Sequence, residues 1–245
     1  MERMPEVVRR VGFAPVKGMR HLALHHVDLD EHGAVGDREL CVVDPVEHRV
    51  LKTVQHPSLM SIVARTYDGG LVLTLPSGAE VDGPAPASGG TITCDYWGRQ
   101  VDLALTDGPH AELISNHLDR DVRLAWAPRG KVVFGEPVTV VTTASLSALG
   151  DLDARRFRAT LVLETEEPWV EDTWLGTELA VGDATIRIGG PVPRCAVVDH
   201  DPESGEKDTR LLKAMVHSRP TNAAGEPMFG VYATVTGPGR VTVTR

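Results

Sequence analysis

The most specific chemistry in this sequence is a thiol approached by a stiff, cationic segment: Pro191-Val192-Pro193-Arg194-Cys195. It continues as Ala196-Val197-Val198-Asp199 and then Asp201-Pro202-Glu203-Ser204-Gly205. Prolines restrict the backbone leading to Cys195. An adjacent guanidinium favours the thiolate, which acts as nucleophile or soft-metal ligand. The competing reading is a small buried hydrophobe opening a strand. Cys41 and Cys94 lie inside strand patterns without a rigid approach and read as structural. Three widely spaced cysteines argue against a disulfide framework and for reduced thiols, and cannot hold a four-cysteine iron–sulfur cluster within one chain.

Four basic residues recur beside glycines, prolines or turns: Lys17 in Pro15-Val16-Lys17-Gly18, Arg38 in Gly36-Asp37-Arg38, Arg158 in Phe157-Arg158-Ala159-Thr160, and Arg194. Together they can converge on a phosphate, with bidentate arginine contacts and a lysine point charge. Taken singly, each reads as a solvated surface charge. His21, His25, His26 and His32, with Asp28, Asp30 and Glu31, match no tetrahedral zinc spacing and read as a solvated strand-loop surface. Trp169 and Trp174 suit either the core or a pocket wall. No glycine-rich nucleotide loop and no Gly-x-Ser-x-Gly elbow is present.

The elements that must position these groups are mainly strands. Short apolar or alternating runs occur at Leu40 to Val43, Ser61 to Thr66, Gly70 to Leu75, Thr91 to Tyr96 and Gln100 to Leu105, separated by turns such as Asp68-Gly69-Gly70. This spacing predicts a barrel or sandwich. Gly83 to Gly90 reads as a loop and a seam, dividing the chain into 1–85 and 86–245. Helical patterns appear at Pro109 to Leu118, Ser145 to Leu149 and Asp208 to Val216. Strand patterns return at Arg158 to Glu164, Glu178 to Val181, Ala184 to Ile188, Ala196 to Val198, Val231 to Thr236 and Val241 to Thr244.

With 245 residues, 42% of them hydrophobic and 24% charged, the chain can bury a full core. A net charge of −9 gives no field that would gather nucleic acid or an anionic membrane. Aromatics at 4% are too few for single-strand stacking platforms. No apolar run is long enough to span a bilayer, and Met1-Glu2-Arg3-Met4-Pro5 lacks the apolar core of a signal peptide, so the expected location is cytoplasmic.

In this order, several segments resemble the MOSC domain proteins, closest to the branch of the mitochondrial amidoxime-reducing component and its bacterial relatives. Pro15-Val16-Lys17-Gly18 and Gly36-Asp37-Arg38 look like the family's N-terminal β-barrel module. Phe157-Arg158, Trp174-Leu175-Gly176, Arg194-Cys195, Asp201-Pro202-Glu203-Ser204-Gly205 and Phe229-Gly230-Val231-Tyr232 look like the MOSC core. The resemblance implies a mainly β fold with a few helices, binding a pterin-dithiolene molybdenum cofactor through Cys195. It also implies cofactor contacts from Lys17, Gly18, Arg38, Arg158, Thr160 and Arg194. Gly18 stands where the branch usually has Ser, Thr160 where it has Asn, and the Val243-Thr244-Arg245 ending lacks the common glycine-aspartate.

The implied reaction is two-electron reduction of N-hydroxylated small molecules. The sequence has no flavin or nicotinamide fingerprint, so electrons come from an external reductase or ferredoxin-type partner. Two other readings use the same thiol: a sulfur carrier acting through a Cys195 persulfide, and a molybdenum cofactor carrier without catalysis.

Overall fold

The computed structural model describes residues 6–244. Met1-Glu2-Arg3-Met4-Pro5, on which the signal-peptide reading rests, and Arg245 lie outside them. The described strands, numbered along the chain, begin with β1 (Val8–Phe13), β2 (Leu22–Leu24), β3 (His26–Asp30), β4 (Gly33–Ala34), β5 (Leu40–Asp44) and β6 (Arg49–Val50). There follow β7 (Val63–Tyr67), β8 (Gly70–Thr74), β9 (Glu80–Gly83), β10 (Ala87–Tyr96), β11 (Arg99–Thr106) and β12 (Arg123–Trp126). The last are β13 (Val138–Thr142), β14 (Leu161–Leu163), β15 (Glu178–Val181), β16 (Ala184–Pro193), β17 (Met228–Gly237) and β18 (Gly239–Thr242). Three α-helices accompany them: α1 (His110–Leu118), α2 (Thr143–Ala148) and α3 (Leu211–Ser218).

The architecture is mainly β with a few helices, as the sequence predicts. Strands β10, β11, β12, β5 and β6 close a barrel, and β7, β8 and β9 form a small sheet beside it. A seven-stranded sheet runs β15-β16-β17-β13-β14-β1-β2, and β18, β3 and β4 form a further sheet. In the seven-stranded sheet β1 pairs antiparallel with β14, so an N-terminal strand completes the sheet of the C-terminal half.

The unbroken apolar run at β5 has a geometric cause. Successive side chains of a strand point to opposite faces. Cys41 and Val43 face the barrel interior with Cys94, Tyr96 and Leu103, while Leu40 and Val42 face a second core with Leu59, Ile62 and Ile114. Cys41 and Cys94 are both fully buried. Thr142 opens α2 by accepting a hydrogen bond from the Ser145 amide.

Two local expectations are corrected. Ala196 to Val198 is not a strand but a 3-10 turn, Ala196–Asp199. The Val198 amide returns to the Cys195 carbonyl at 3.2 Å, and the Asp199 carboxylate accepts from the Leu212 amide at 2.7 Å, which favours the turn over extension. The loop read at Gly83 to Gly90 ends early, because Ala87 already pairs with Thr106 in the β10–β11 hairpin.

Candidate functional site

Lys17 lies in a turn whose backbone is fixed from both sides. The Lys17 amide donates to the Leu40 carbonyl at 2.7 Å, and Gly18 takes φ +90°, a left-handed conformation that favours glycine. Arg38 and Arg158 also adopt left-handed backbone conformations, with φ 54° and 51°, uncommon for side-chain-bearing residues. Each is held there. The Arg38 amide donates to the Ala14 carbonyl at 2.8 Å, and Arg158 closes the 3-10 turn Ala154–Phe157, which Asp153 caps.

The side chains then lock to one another. Asp37 pairs with the Arg38 guanidinium at 2.6 Å, Arg38 donates to the Arg158 carbonyl at 3.2 Å, and Arg158 donates to the Met19 carbonyl at 2.8 Å. Arg194 is buried at the end of β16, donating Nε to the Phe229 carbonyl and Nη1 to the Phe157 carbonyl, both at 2.8 Å. Cys195 follows it in an extended conformation at the head of the Ala196–Asp199 turn and is exposed. Its exposure excludes the buried-hydrophobe reading.

Lys17, Arg38, Arg158, Arg194 and Cys195 line a single cavity of about 230 Å³. Its walls come from both halves of the chain. Burial, with Arg38 and Arg158 nearby, pulls Lys17 down to about 7. Burial beside Arg38 lowers Arg158 to about 9, and burial lowers Arg194 to about 10. Lys17 Nζ has no hydrogen bond or ion pair among the described residues and lies 4.9 Å from the centre of the Tyr96 ring. Burial makes the charged form of each of these groups costly, and an anionic guest offsets that cost.

Gly18 and Thr160 are not part of that lining. Gly18 packs against Leu59, and Thr160 is buried behind the wall, exchanging hydrogen bonds of 3.2 and 3.1 Å with Thr139, which does line the cavity. Lys52, Trp97, Phe134 and Tyr232 line it as well. Trp97 and Phe134, 46% and 48% exposed, meet at 5.2 Å on the rim, and Lys52 covers the Trp97 ring at 4.1 Å. Trp97 occupies the tip of the β10–β11 hairpin with φ 54°, and no periodicity marks such a residue in sequence. Of the tryptophans considered from sequence, Trp169 packs edge-on against Phe229 beneath Arg194, and Trp174 packs on the core of the large sheet. The histidine surface is corrected at one position: His21 is buried, because it packs between strands over Gly12.

The MOSC domain matches this chain over residues 129–244, and the MOSC N-terminal beta barrel domain matches it over residues 6–121. The chain belongs to the MOSC domain family. Its similarity extends to proteins named molybdenum cofactor sulfurase: 26% identity over 249 residues with that of Caenorhabditis elegans, covering 93% of this chain, and 25% over 250 residues with that of Caenorhabditis briggsae, covering 94%. This MOSC protein spans 33% of the length of each nematode relative. The human molybdenum cofactor sulfurase is 28% identical over 87 residues, 36% of this chain and 9% of its own. Among solved structures, the YUAD protein from Bacillus subtilis aligns over 99% of this chain and 93% of its own, at 12% identity and a TM-score of 0.41. No helix among the described residues is long and apolar enough to cross a membrane.

Proposed function

We propose that this MOSC protein holds a pterin-dithiolene molybdenum cofactor in the Cys195 cavity and reduces N-hydroxylated small molecules there. The observation that carries this reading is the meeting in a single cavity of one exposed thiol with Lys17, Arg38, Arg158 and Arg194, of which only Arg38 has a carboxylate partner among the described residues. The residues present suit such a group. Arg194 Nη2 is buried without a hydrogen-bond partner, and no three His, Cys, Asp or Glu side chains stand together as a metal site among the described residues. A metal held by Cys195 therefore finds too few protein donors to complete its coordination and must arrive with other ligands of its own, as a dithiolene-bound metal does.

The cofactor, when bound, supplies two-electron oxygen-atom chemistry. The chain supplies the rest. Cys195 offers a soft thiolate donor. Arg38 and Arg158 offer guanidinium donors for the pterin and phosphate, and Lys17 adds a compact charge. Their locked turns fix these donors before binding, which lowers the ordering cost. Trp97 and Phe134 wall the entrance and limit water there. Electrons come from a ferredoxin-type or reductase partner.

Turnover tests this reading. Protein made in a host that produces the cofactor is expected to reduce benzamidoxime with an artificial electron donor, and Cys195→Ala to lose that activity. Equal rates for the two proteins would overturn it.

A second reading rests on the exposure of Cys195 and the likeness to molybdenum cofactor sulfurases. In it, Cys195 carries a persulfide sulfur for transfer. Intact mass spectrometry that finds a one-sulfur gain on Cys195 in metal-free protein supports this alternative, and an unmodified thiol beside bound molybdenum counts against it.

A further inference from the structure

A second pocket, of about 400 Å³, opens at the edge of the seven-stranded sheet that ends in β2, lined by residues of β1, β2 and β7 and by the turn before Phe157. Arg10, Arg20, Arg65 and Arg155 line it, against the single carboxylate of Asp153. That carboxylate is already engaged: Arg155 approaches it with Nε at 2.8 Å and Nη2 at 2.6 Å. Arg155 and Arg20 also share Glu203, at 2.7 and 3.8 Å. Arg10 and Arg65 have no carboxylate within ion-pair distance among the described residues. In a chain of net charge −9, this is a local excess of positive charge with donors to spare.

The inner wall adds unpartnered groups. Arg10 gives Nη2 to the Leu22 carbonyl at 2.9 Å and approaches His21 Nδ1 at 3.3 Å. A guanidinium only donates, so Nδ1 accepts and the ring proton resides on Nε2. Both that His21 Nε2 and Arg10 Nη1 are buried without a hydrogen-bond partner. His21 is 1% exposed. Burial, reinforced by the charges of Arg158 and Arg10, holds it well below the usual histidine range, so it presents a neutral ring. Gly12 makes the arrangement possible: a Cβ there would fall 2.2 Å from His21 Cε1 and 2.6 Å from Arg10 Nη1.

We infer that this pocket is an oxyanion site, separate from the Cys195 cavity, for a phosphate-type dianion. Guanidinium forks match the paired oxygens of phosphate, and a dianion supplies Arg10 and Arg65 with the charge partners they lack. Free phosphate and a phosphate monoester share this chemistry. The site is independent of the reading given to Cys195.

Calorimetric titration with inorganic phosphate, and in a second arm with methyl phosphate, tests the site in Lys17→Met protein, where the Cys195 cavity has lost one of its unpaired cations and so binds anions more weakly. Binding is expected to persist in Lys17→Met and to weaken roughly ten-fold on adding Arg65→Ala, as for loss of a charge-assisted hydrogen bond. Phosphate is also expected to shift the His21 ring-nitrogen resonances, and Arg10→Gln to abolish that shift. Tighter binding of methyl phosphate assigns an ester ligand; tighter binding of phosphate assigns the free ion. Loss of all binding in Lys17→Met, indifference to Arg65→Ala, or unmoved His21 resonances would overturn the site. Arg65 is exposed, so its variant keeps the test available if Arg10→Gln does not fold.

Discussion

Arg194 and Phe157 tie together the two turns that present the candidate site: the Arg194 Nη1 donates to the Phe157 carbonyl at 2.8 Å, joining the approach to Cys195 to the turn that carries Arg158. The same guanidinium holds the Phe229 carbonyl on β17 and lies within 5.4 and 5.6 Å of the Phe157 and Phe229 rings. Arg194→Ala leaves two carbonyls without their donors and is expected to cost on the order of 3 kcal/mol. Arg194→Lys restores one point charge without the fork and should recover only part of this. Urea unfolding of the two variants measures both losses.

Lys17 links stability to pH. Its pKa falls from 10.5 to about 7 in the folded chain, so across that window the unfolded chain binds more protons than the folded one. Stability therefore rises with pH from about 7 toward 10.5, and the penalty of charging the buried amine is fully present below 7. In thermal unfolding, Lys17→Met should be more stable than the wild type at neutral pH, and the difference should shrink as pH rises. A pH-independent difference would place the charge penalty elsewhere.

The Asp201-Pro202-Glu203-Ser204-Gly205 loop joins the C-terminal half to residues Pro57–Ser61. Asp201 accepts from the Glu203 and Ser204 amides at 2.9 and 2.7 Å, and Arg20 donates to the Glu203 carbonyl at 2.6 Å. Gly205 has φ +76°, and a Cβ there would lie 2.1 Å from the Pro57 carbonyl oxygen. Gly205→Ala is expected to destabilise by about 1–3 kcal/mol. Ser204→Ala, exposed and outside that contact, should change stability little; equal losses in the two would contradict the packing account.

Thiol labelling should separate Cys195 from its two companions. Burial pushes Cys41 up to about 12 and Cys94 up to about 11, and both are fully buried, whereas Cys195 is exposed. Native protein should therefore gain a single label from iodoacetamide and Cys195→Ser none, read by intact mass. Native labelling of Cys195→Ser would place a second cysteine within reach of solvent.

The site was partly legible in sequence because part of its chemistry is local. Pro193, Arg194 and Cys195 adjoin one another, and nearby glycines or prolines single out Lys17 and Arg38, while Arg158 stands at the edge of a strand pattern. Their convergence is a product of topology, since Lys17 and Arg38 meet Arg158 and Arg194 only once β1 joins β14. Lys52, Trp97 and Phe134 carry no periodic signal, as turn and loop residues have no core face to mark them. Ala196 to Val198 misled because a short apolar run fits a strand and a buried turn equally well. His21 misled because the space over Gly12 that buries it is visible only between paired strands.

Molybdenum analysis of purified protein from a cofactor-producing host, with Cys195→Ser made alongside, decides whether the Cys195 thiolate holds the metal. About one molybdenum per wild-type chain is expected, with a single thiolate supplying the protein's ligand, and the metal should be lost in Cys195→Ser. Wild-type protein without molybdenum, or Cys195→Ser that retains a full complement, would contradict this.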